Sequence, residues 1–145
     1  MKQAVRAIIV REGKLLVMKR NKFGSKYYTL VGGHVEIGEE PEHALVREVL
    51  EETSLKITHA KKVFLEEAGA PYGLQHIYLC KDPSGEIEMS PEADEAHINK
   101  LGVNTYTPMW LPLSDLKDVD FLSGRLKGAI LHGVRHGFPK KIQHL

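Results

Sequence analysis

The sequence predicts an α/β fold made of several short strands and two helices. Three observations indicate this fold class. Runs of Val, Ile and Ala of strand length occur in both halves of the chain. Residues 42–53 carry apolar side chains at helical spacing, and a second helical stripe follows Ser123. Because we find no internal repeat and no linker, residues 1–145 are expected to form a single domain.

The first half of the chain begins with strands. Residues 3–10 and 15–18 flank Arg11-Glu12-Gly13, and this arrangement predicts a β-hairpin. Residues 27–31 predict a third strand. It leads into Gly32-Gly33, where the absence of a Cβ atom favours a bend.

The second half adds further strands around polar segments. Residues 57–65, 74–80 and 106–111 predict three strands. A turn is expected at residues 82–85, which read Asp-Pro-Ser-Gly, and the polar, acidic residues 90–104 predict a loop.

Two helices complete the prediction. Pro41 suits a first helical turn, and the following helix has an apolar stripe of Leu45, Val46, Val49 and Leu50. The second helix has Ser123 as its N-cap, ends at Gly137, and carries a stripe of Leu126, Ile130 and Val134.

The composition restricts the classes of partner. Lys plus Arg number 20 and Asp plus Glu 19, so the chain lacks the positive field that binds a nucleic-acid backbone, and we expect no nucleic-acid polymer as partner. Cys80 is the only cysteine, which excludes an internal disulfide and a Cys-rich zinc site. The apolar run near the N-terminus is too short for a signal sequence or membrane span. A cytoplasmic protein without membrane contact is expected.

The first helix carries an acidic cluster. Glu48, Glu51 and Glu52 are spaced i, i+3 and i+4, so they share the face opposite the predicted apolar stripe. Like charges at this spacing repel one another, and a divalent cation such as Mg²⁺ or Mn²⁺, which prefers hard oxygen ligands, would neutralise them. Spacing alone also fits an ordinary solvated helix face.

The segment GHVEIGEEPEHALVREVLEETSL, residues 33–55, resembles the signature of the Nudix hydrolase family, G-x5-E-x7-R-E-U-x-E-E-x-G-U, where U is aliphatic. Eight of its nine fixed positions match: Gly33, Glu39, Arg47, Glu48, Val49, Glu51, Glu52 and Leu55. Ser54 stands where the family has glycine, at the expected left-handed end of the helix.

The resemblance implies the Nudix fold, an α/β/α sandwich with a mixed, curved β-sheet, and hydrolysis of a nucleoside diphosphate linked to another moiety. It implies that Glu48, Glu51 and Glu52 bind Mg²⁺ or Mn²⁺, with the Gly33 carbonyl as a further ligand. It also implies that Arg47 and Glu39 form an ion pair that positions the helix.

Several points stay open at this stage. The general base is either Glu48 or an acid from another loop. Glu92, Asp94 and Glu95 are candidates for that base or for an extra metal ligand, and they also fit ordinary solvated loop charges. The aromatic residues Tyr27, Tyr28, Tyr72 and Trp110 are candidates for stacking on a nucleobase, although aromatic residues in strands more often serve packing. The sequence does not identify the particular diphosphate substrate. It also does not distinguish a monomer from a homodimer. Two rival functions are a non-catalytic nucleotide sensor and an isoprenoid diphosphate isomerase.

Overall fold

The computed structural model describes residues 2–81, 83–91 and 93–145. Within these residues the elements follow in this order: β1 Gln3–Arg11, β2 Lys14–Lys22, β3 Ser25–Thr29, β4 Val31–His34, α1 Pro41–Thr53, β5 His59–Glu67, β6 Leu74–Lys81, α2 Asp94–Asn99, β7 Asn104–Pro112, a 3₁₀ helix Leu113–Asp118, α3 Gly124–His136 and β8 Gln143–His144. Asp82 of the expected turn and Glu92 of the acidic segment lie outside the described residues. No helix in the described ranges is long and apolar enough to cross a membrane.

The predicted hairpin of β1 and β2 is confirmed, but the two strands pair only next to their turn. Their register joins Val10 to Leu15 and Arg11 to Lys14. Further along, β1 pairs with β4 antiparallel and with β6 in parallel, whereas β2 pairs with β3 and β7. The mixed sheet therefore opens at this hairpin, and β3 and β4 occupy the two diverging edges.

Helices cover the sheet on two sides, which confirms the α/β/α architecture. Alternate residues of β1 enter two different cores, as expected for a strand buried on both faces. Val5, Ala7 and Ile9 pack with Leu45 and Val49 of α1. Ile8 packs on the opposite side, with Leu126 and Ile130 of α3.

Helix α1 begins at Pro41 as predicted, but its buried face differs from the predicted one. Val46 and Leu50 are exposed, whereas Glu48 and Glu52 are buried together with Ala44, Leu45, Val49 and Thr53. The predicted stripe was wrong in half of its members because the helix turns two carboxylates toward the sheet. Hydrophobicity alone does not predict such a face.

The predicted bend at Gly32-Gly33 is wrong, because both glycines belong to strand β4 and pair with β1. The predicted strand over residues 27–31 is instead interrupted at Leu30, between β3 and β4. Gly32 has φ 147°, and a Cβ atom there would lie 1.9 Å from the Val5 carbonyl oxygen. Glycine is needed at this position because β4 approaches β1 too closely for a side chain.

In the rest of the chain, the predicted N-cap of the second helix is confirmed, and two other predictions are wrong. Ser123 is the N-cap of α3 and accepts a hydrogen bond from the Leu126 N–H. Val134 is exposed rather than part of the buried stripe, and Gly133 packs against Phe138 in its place. The polar residues 90–104 contain α2 instead of forming only a loop.

The left-handed end of α1 predicted at Ser54 is confirmed. Ser54 has φ 65° and ψ 4°, and its N–H donates to the Leu50 carbonyl. Its hydroxyl also donates to the Glu88 carbonyl, which ties the helix end to a neighbouring segment. This serine hydrogen bond offsets part of the backbone cost that a glycine would avoid.

Two substitutions at Ser54 separate these contributions. Ser54→Ala keeps the left-handed strain and loses the hydroxyl bond, so we expect a loss of about 1 kcal/mol and a melting temperature lower by a few degrees. Ser54→Gly loses the same bond but relieves the strain, so its melting temperature should stay near that of the wild type. Equal melting temperatures for all three proteins in thermal denaturation would contradict this account.

Candidate metal centre and active-site groove

Arg47 connects α1 to the segment that precedes it. Its Nε donates to Glu39 Oε2 at 2.8 Å and its Nη2 to Glu39 Oε1 at 2.9 Å, a bidentate pair. Nη2 also donates to the His34 carbonyl at 3.1 Å. These bonds lower the pKa of Glu39 to about 2, with the Arg47 hydrogen bonds as the largest cause. The predicted Arg47–Glu39 contact is therefore present in the structure.

The two glycines of β4 lie directly against the carboxylates of α1. A Cβ atom on Gly33 would lie 2.4 Å from the Glu48 carboxyl group, so only glycine leaves room for that carboxylate. The Gly32 N–H donates to Glu52 Oε1 at 3.2 Å. Glu48 also accepts a hydrogen bond from Arg47 Nη1 at 2.9 Å. The strand, the arginine and the helix together fix the position of both carboxylates.

Three carboxylates converge at this point. Glu48, Glu52 and Glu95 each place an oxygen atom within 4.8 Å of the others. Burial raises the pKa of Glu48 to about 7, although Arg47 opposes the shift, and burial also raises the pKa values of Glu52 and Glu95. Hard oxygen donors crowded in a partly dehydrated site suit a divalent cation, which would remove their repulsion. The cluster could therefore bind such an ion.

Glu95 reaches the cluster because α2 is bound to strand β7. Asn99 Nδ2 donates to the Tyr106 carbonyl at 2.8 Å, and the Tyr106 N–H donates to Asn99 Oδ1 at 2.6 Å. This pair of bonds imitates one step of a β-ladder and holds α2 beside the groove.

Glu51 and Asp94, two further acids predicted for the site, lie outside this group of three. Among the described residues, the group of three does not include Glu51, whose side chain is 44% exposed and whose Oε2 lies 3.6 Å from Arg47 Nη1. Asp94 precedes Glu95 on α2 and is exposed to solvent. Glu92 lies outside the described residues.

Cationic side chains line the same groove as the carboxylates. Arg6, Arg20 and Lys22 share an open pocket of about 250 Å³ with Glu52 and Glu95. Arg6 is held by hydrogen bonds to Gln75 and the Leu30 carbonyl, and Arg20 stacks on the Tyr106 ring at 3.6 Å. The groove therefore contains both positive and negative groups, which suits a polyanion bound with a cation.

Sequence reasoning missed Arg6, although the sequence contained a signal for it. Arg6 is the one charged residue in the run from Ala4 to Val10, whose apolar members fill two cores. A charge inside a buried strand is rarely tolerated without a function or a partner. Of the aromatic candidates, Tyr27 and Tyr72 line the groove, whereas Trp110 packs under Arg11 at 5.0 Å.

The Glu39–Arg47 pair predicts a specific acid sensitivity. A carboxyl whose pKa is lowered on folding stabilises the fold fully above its unfolded value, near 4.5, and loses this effect as the pH falls toward about 2. Glu39→Gln should therefore flatten the fall in melting temperature between these pH values. The exposed neighbour Glu40, which makes no side-chain cap bond, is the control, and Glu40→Gln should keep the wild-type profile. A profile unchanged in Glu39→Gln would show that the pair does not stabilise the fold.

Comparisons with known proteins agree with this architecture. A family model described as NUDIX domain matches residues 1–127. An NAD-capped RNA hydrolase NudC from Photorhabdus laumondii is 34% identical over 97 residues, which cover 64% of this chain and 38% of that protein. The chain thus spans well under half the length of this curated relative.

Solved structures show the same fold at low sequence identity. A MutT protein from Bacillus halodurans is 16% identical with a TM-score of 0.70, and the match covers 99% of this chain and 87% of that one. An ADP-ribose pyrophosphatase from Streptococcus suis is also 16% identical, with a TM-score of 0.62 and coverage of 99% and 96%. The match over residues 1–127, together with the signature at residues 33–55, shows that this chain belongs to the Nudix family.

Proposed function

We propose that the chain is a Nudix pyrophosphohydrolase that cleaves the diphosphate bond of a nucleoside diphosphate linked to another moiety. The convergence of Glu48, Glu52 and Glu95 at a groove that Arg6, Arg20 and Lys22 also line is the observation that carries this proposal. A diphosphate is a polyanion whose negative charge repels the electron pair of an attacking nucleophile until positive groups neutralise it. The groove offers such groups and also a place for a cation.

The proposed cation is Mg²⁺ or Mn²⁺. Glu48 and Glu52 would hold it, with the Gly33 carbonyl as a further ligand and Glu95 beside the ion. Glu51 would approach from the exposed rim of the site. When bound, such an ion supplies charge neutralisation and a more acidic water molecule. The fit of this donor set rests on its carboxylate chemistry and on the space that Gly33 leaves for Glu48.

The protein side chains perform the remaining tasks. Arg6 and Arg20 are fixed by hydrogen bonds and stacking, so they can orient the diphosphate without losing much further side-chain freedom. Arg47 holds Glu48 in place by a hydrogen bond, and Glu39 in turn fixes the position of Arg47.

A carboxylate of the cluster must accept the proton of the attacking water. Glu48 is engaged by Arg47 and Glu52 by the Gly32 N–H, whereas Glu95 arrives from a different element. We therefore propose Glu95 as the general base, in preference to Glu48.

Relatives suggest the substrate class. The names of similar proteins refer to NAD-capped RNA and to ADP-ribose, and both contain a nucleoside diphosphate unit. The proposed substrate is accordingly a small nucleotide-derived diphosphate. Incubating the chain and Mg²⁺ with ADP-ribose, NAD, dinucleoside polyphosphates, nucleoside triphosphates and an NAD-capped RNA, and identifying the products by chromatography, tests this assignment. Binding without cleavage would favour a sensor, and rearrangement of isopentenyl diphosphate would favour an isomerase.

Glu52→Gln should abolish turnover without unfolding the protein. Its amide keeps an oxygen for the Gly32 N–H, but the charge that attracts the cation is lost. Activity should fall by at least about 100-fold, since even outer-shell partners of a metal cost 10–100-fold. Removal of one charge from a buried acidic cluster should leave the metal-free protein as stable as the wild type or more so.

Melting curves provide a second measurement that does not depend on turnover. The wild type should gain stability in proportion to RT ln(1 + [M]/Kd) as Mg²⁺ or Mn²⁺ is added, and Glu52→Gln should gain much less. Full activity together with full stabilisation by the cation in the variant would mean that Glu52 is not a ligand.

Two adjacent acids on α2 provide a matched test of the base. Glu95→Gln should lower kcat by about 100-fold or more, as expected for loss of a general base. Asp94→Asn makes the same change of charge one residue away, at an exposed position, and should retain activity within about threefold. Equal effects of the two substitutions on kcat would indicate a general electrostatic contribution of α2 and would exclude Glu95 as the base.

A further inference from the structure

Helix α3 carries two histidines one turn apart on its exposed face. His132 and His136 are spaced i and i+4, so they lie one above the other near the C-terminal end of the helix. Both are exposed to solvent, and their ring centroids are 4.8 Å apart with the ring planes inclined by 42°. Within residues 2–81, 83–91 and 93–145, neither ring makes a hydrogen bond or an ion pair. The nitrogens of both rings are therefore available to a ligand.

The separation of the two rings fits a shared metal ion. A metal lies about 2.0 Å from an imidazole nitrogen, so two rings that share it have centroids about 4.5 to 5.2 Å apart at coordination angles of about 90° to 110°. The separation of 4.8 Å between His132 and His136 lies inside this range. Because both side chains are exposed, their rings can turn toward a common ion without disturbing the core.

The fold holds the backbone of this helical turn in place. Gly133, next to His132, is buried against the Phe138 ring, and its carbonyl accepts a hydrogen bond from the Gly137 N–H at 2.8 Å. The Phe138 ring in turn packs against Phe64 of β5, with ring centroids 6.2 Å apart. A metal ion would therefore have to order only two side chains, and not a helix, which lowers the entropic cost of binding.

We propose that His132 and His136 form a second metal site, which chelates one Cu²⁺, Ni²⁺ or Zn²⁺ ion through one nitrogen of each ring. Imidazole suits these three metals, whereas Mg²⁺ and Mn²⁺ prefer oxygen ligands such as the carboxylates of α1. The two histidines belong to α3, on the other side of the sheet from α1. The site is thus separate from the acidic cluster and does not depend on the proposed hydrolytic activity.

The surroundings of the pair determine which metals it selects. Among the described residues, no third His, Cys, Asp or Glu joins the two rings. Arg135 is exposed in the same turn, and Lys140 and Lys141 are exposed just beyond the helix, so a cation held mainly by charge gains little there. Binding must come from the metal–nitrogen bonds, which strengthen toward Cu²⁺. With two protein ligands the remaining coordination positions stay open to water, as in an exchangeable site rather than a closed structural one.

Calorimetric titration of the metal-free chain with CuSO₄, NiCl₂, ZnCl₂ or MgCl₂ alone tests the site. His132→Gln and His136→Gln should each raise the Kd for Cu²⁺ at least about tenfold, since even outer-shell partners of a metal cost 10–100-fold in affinity. Binding of Mg²⁺ should be the same in both variants as in the wild type. His43→Gln is the control, because His43 is an exposed histidine of α1 with no histidine one turn away, and it should keep the wild-type Kd.

Two further variants distinguish chelation from binding at single rings. Val134 is exposed, and Val134→His combined with His136→Gln keeps eight histidines in the chain while placing two of them at i and i+2, about 200° apart around the helix. This variant should bind Cu²⁺ as weakly as His136→Gln does. The double variant of His132 and His136 should bind no more weakly than either single variant, because losing one ring already breaks the chelate. Wild-type affinity in the respaced variant, or losses that add in the double variant, would overturn the proposal.

Nuclear magnetic resonance separates this site from the acidic cluster. In Glu52→Gln, whose acidic cluster has lost one charge, one equivalent of Zn²⁺ should shift the ring C–H resonances of His132 and His136 together and leave those of His43 in place. His132→Gln should remove the shift of His136 as well, and its hydrolytic activity with Mg²⁺ should equal that of the wild type. If Zn²⁺ leaves both rings unshifted, or if His136 responds as before in His132→Gln, the chelate does not form, whether or not the chain hydrolyses a diphosphate.

Discussion

The close contact between strand β4 and helix α1 is the constraint on which the rest of the site depends. Gly32 and Gly33 allow the strand to lie against β1 on one side and against the Glu48 and Glu52 carboxylates on the other. A side chain at Gly32 would collide with the backbone of β1, and one at Gly33 would displace the Glu48 carboxylate. Two residues without side chains thus allow the strand and the carboxylates of α1 to lie in direct contact.

The divergence of β1 and β2 creates the groove beside these carboxylates. Had the hairpin continued to pair along its length, Arg6 and Arg20 would lie on one continuous sheet without a groove between them. Instead β3 and β4 follow the separated strands, and the chain crosses from one edge to the other at Leu30. Arg6 donates to the Leu30 carbonyl that this crossing leaves outside the ladders. One arginine therefore both satisfies the backbone at the break and lines the groove.

The sequence was sufficient for the parts of the site that depend on local spacing. The hairpin of β1 and β2 and the start of α1 at Pro41 follow from turn chemistry and periodicity, whereas the signature indicated the left-handed Ser54 and the Arg47–Glu39 pair. The buried face of α1 could not be predicted from the sequence, because the apolar residues Val46 and Leu50 are exposed while Glu48 and Glu52 are buried. Which face is buried depends on the close approach of β4, and a count of hydrophobic residues along α1 does not contain that information.

Glu95 illustrates a second limit, which concerns tertiary distance. Nothing in residues 90–104 distinguishes it from Asp94, since both are acids in a polar segment. Their difference arises from the two hydrogen bonds between Asn99 and Tyr106, which fix α2 against β7 and direct only one acid into the groove. The distance between Asn99 and Tyr106 depends on how the whole sheet is arranged. This contact can therefore be recognised only when the fold is known.

The two sources of carboxylates also differ in how firmly they are held. Helix α1 buries six residues and is fixed by Arg47 and the β4 glycines, whereas α2 has six residues in total and buries none. Short elements with little buried surface open at lower free energy than core helices. Glu48 and Glu52 therefore lie on the more deeply buried element, whereas Glu95 depends for its position on the two hydrogen bonds between α2 and β7.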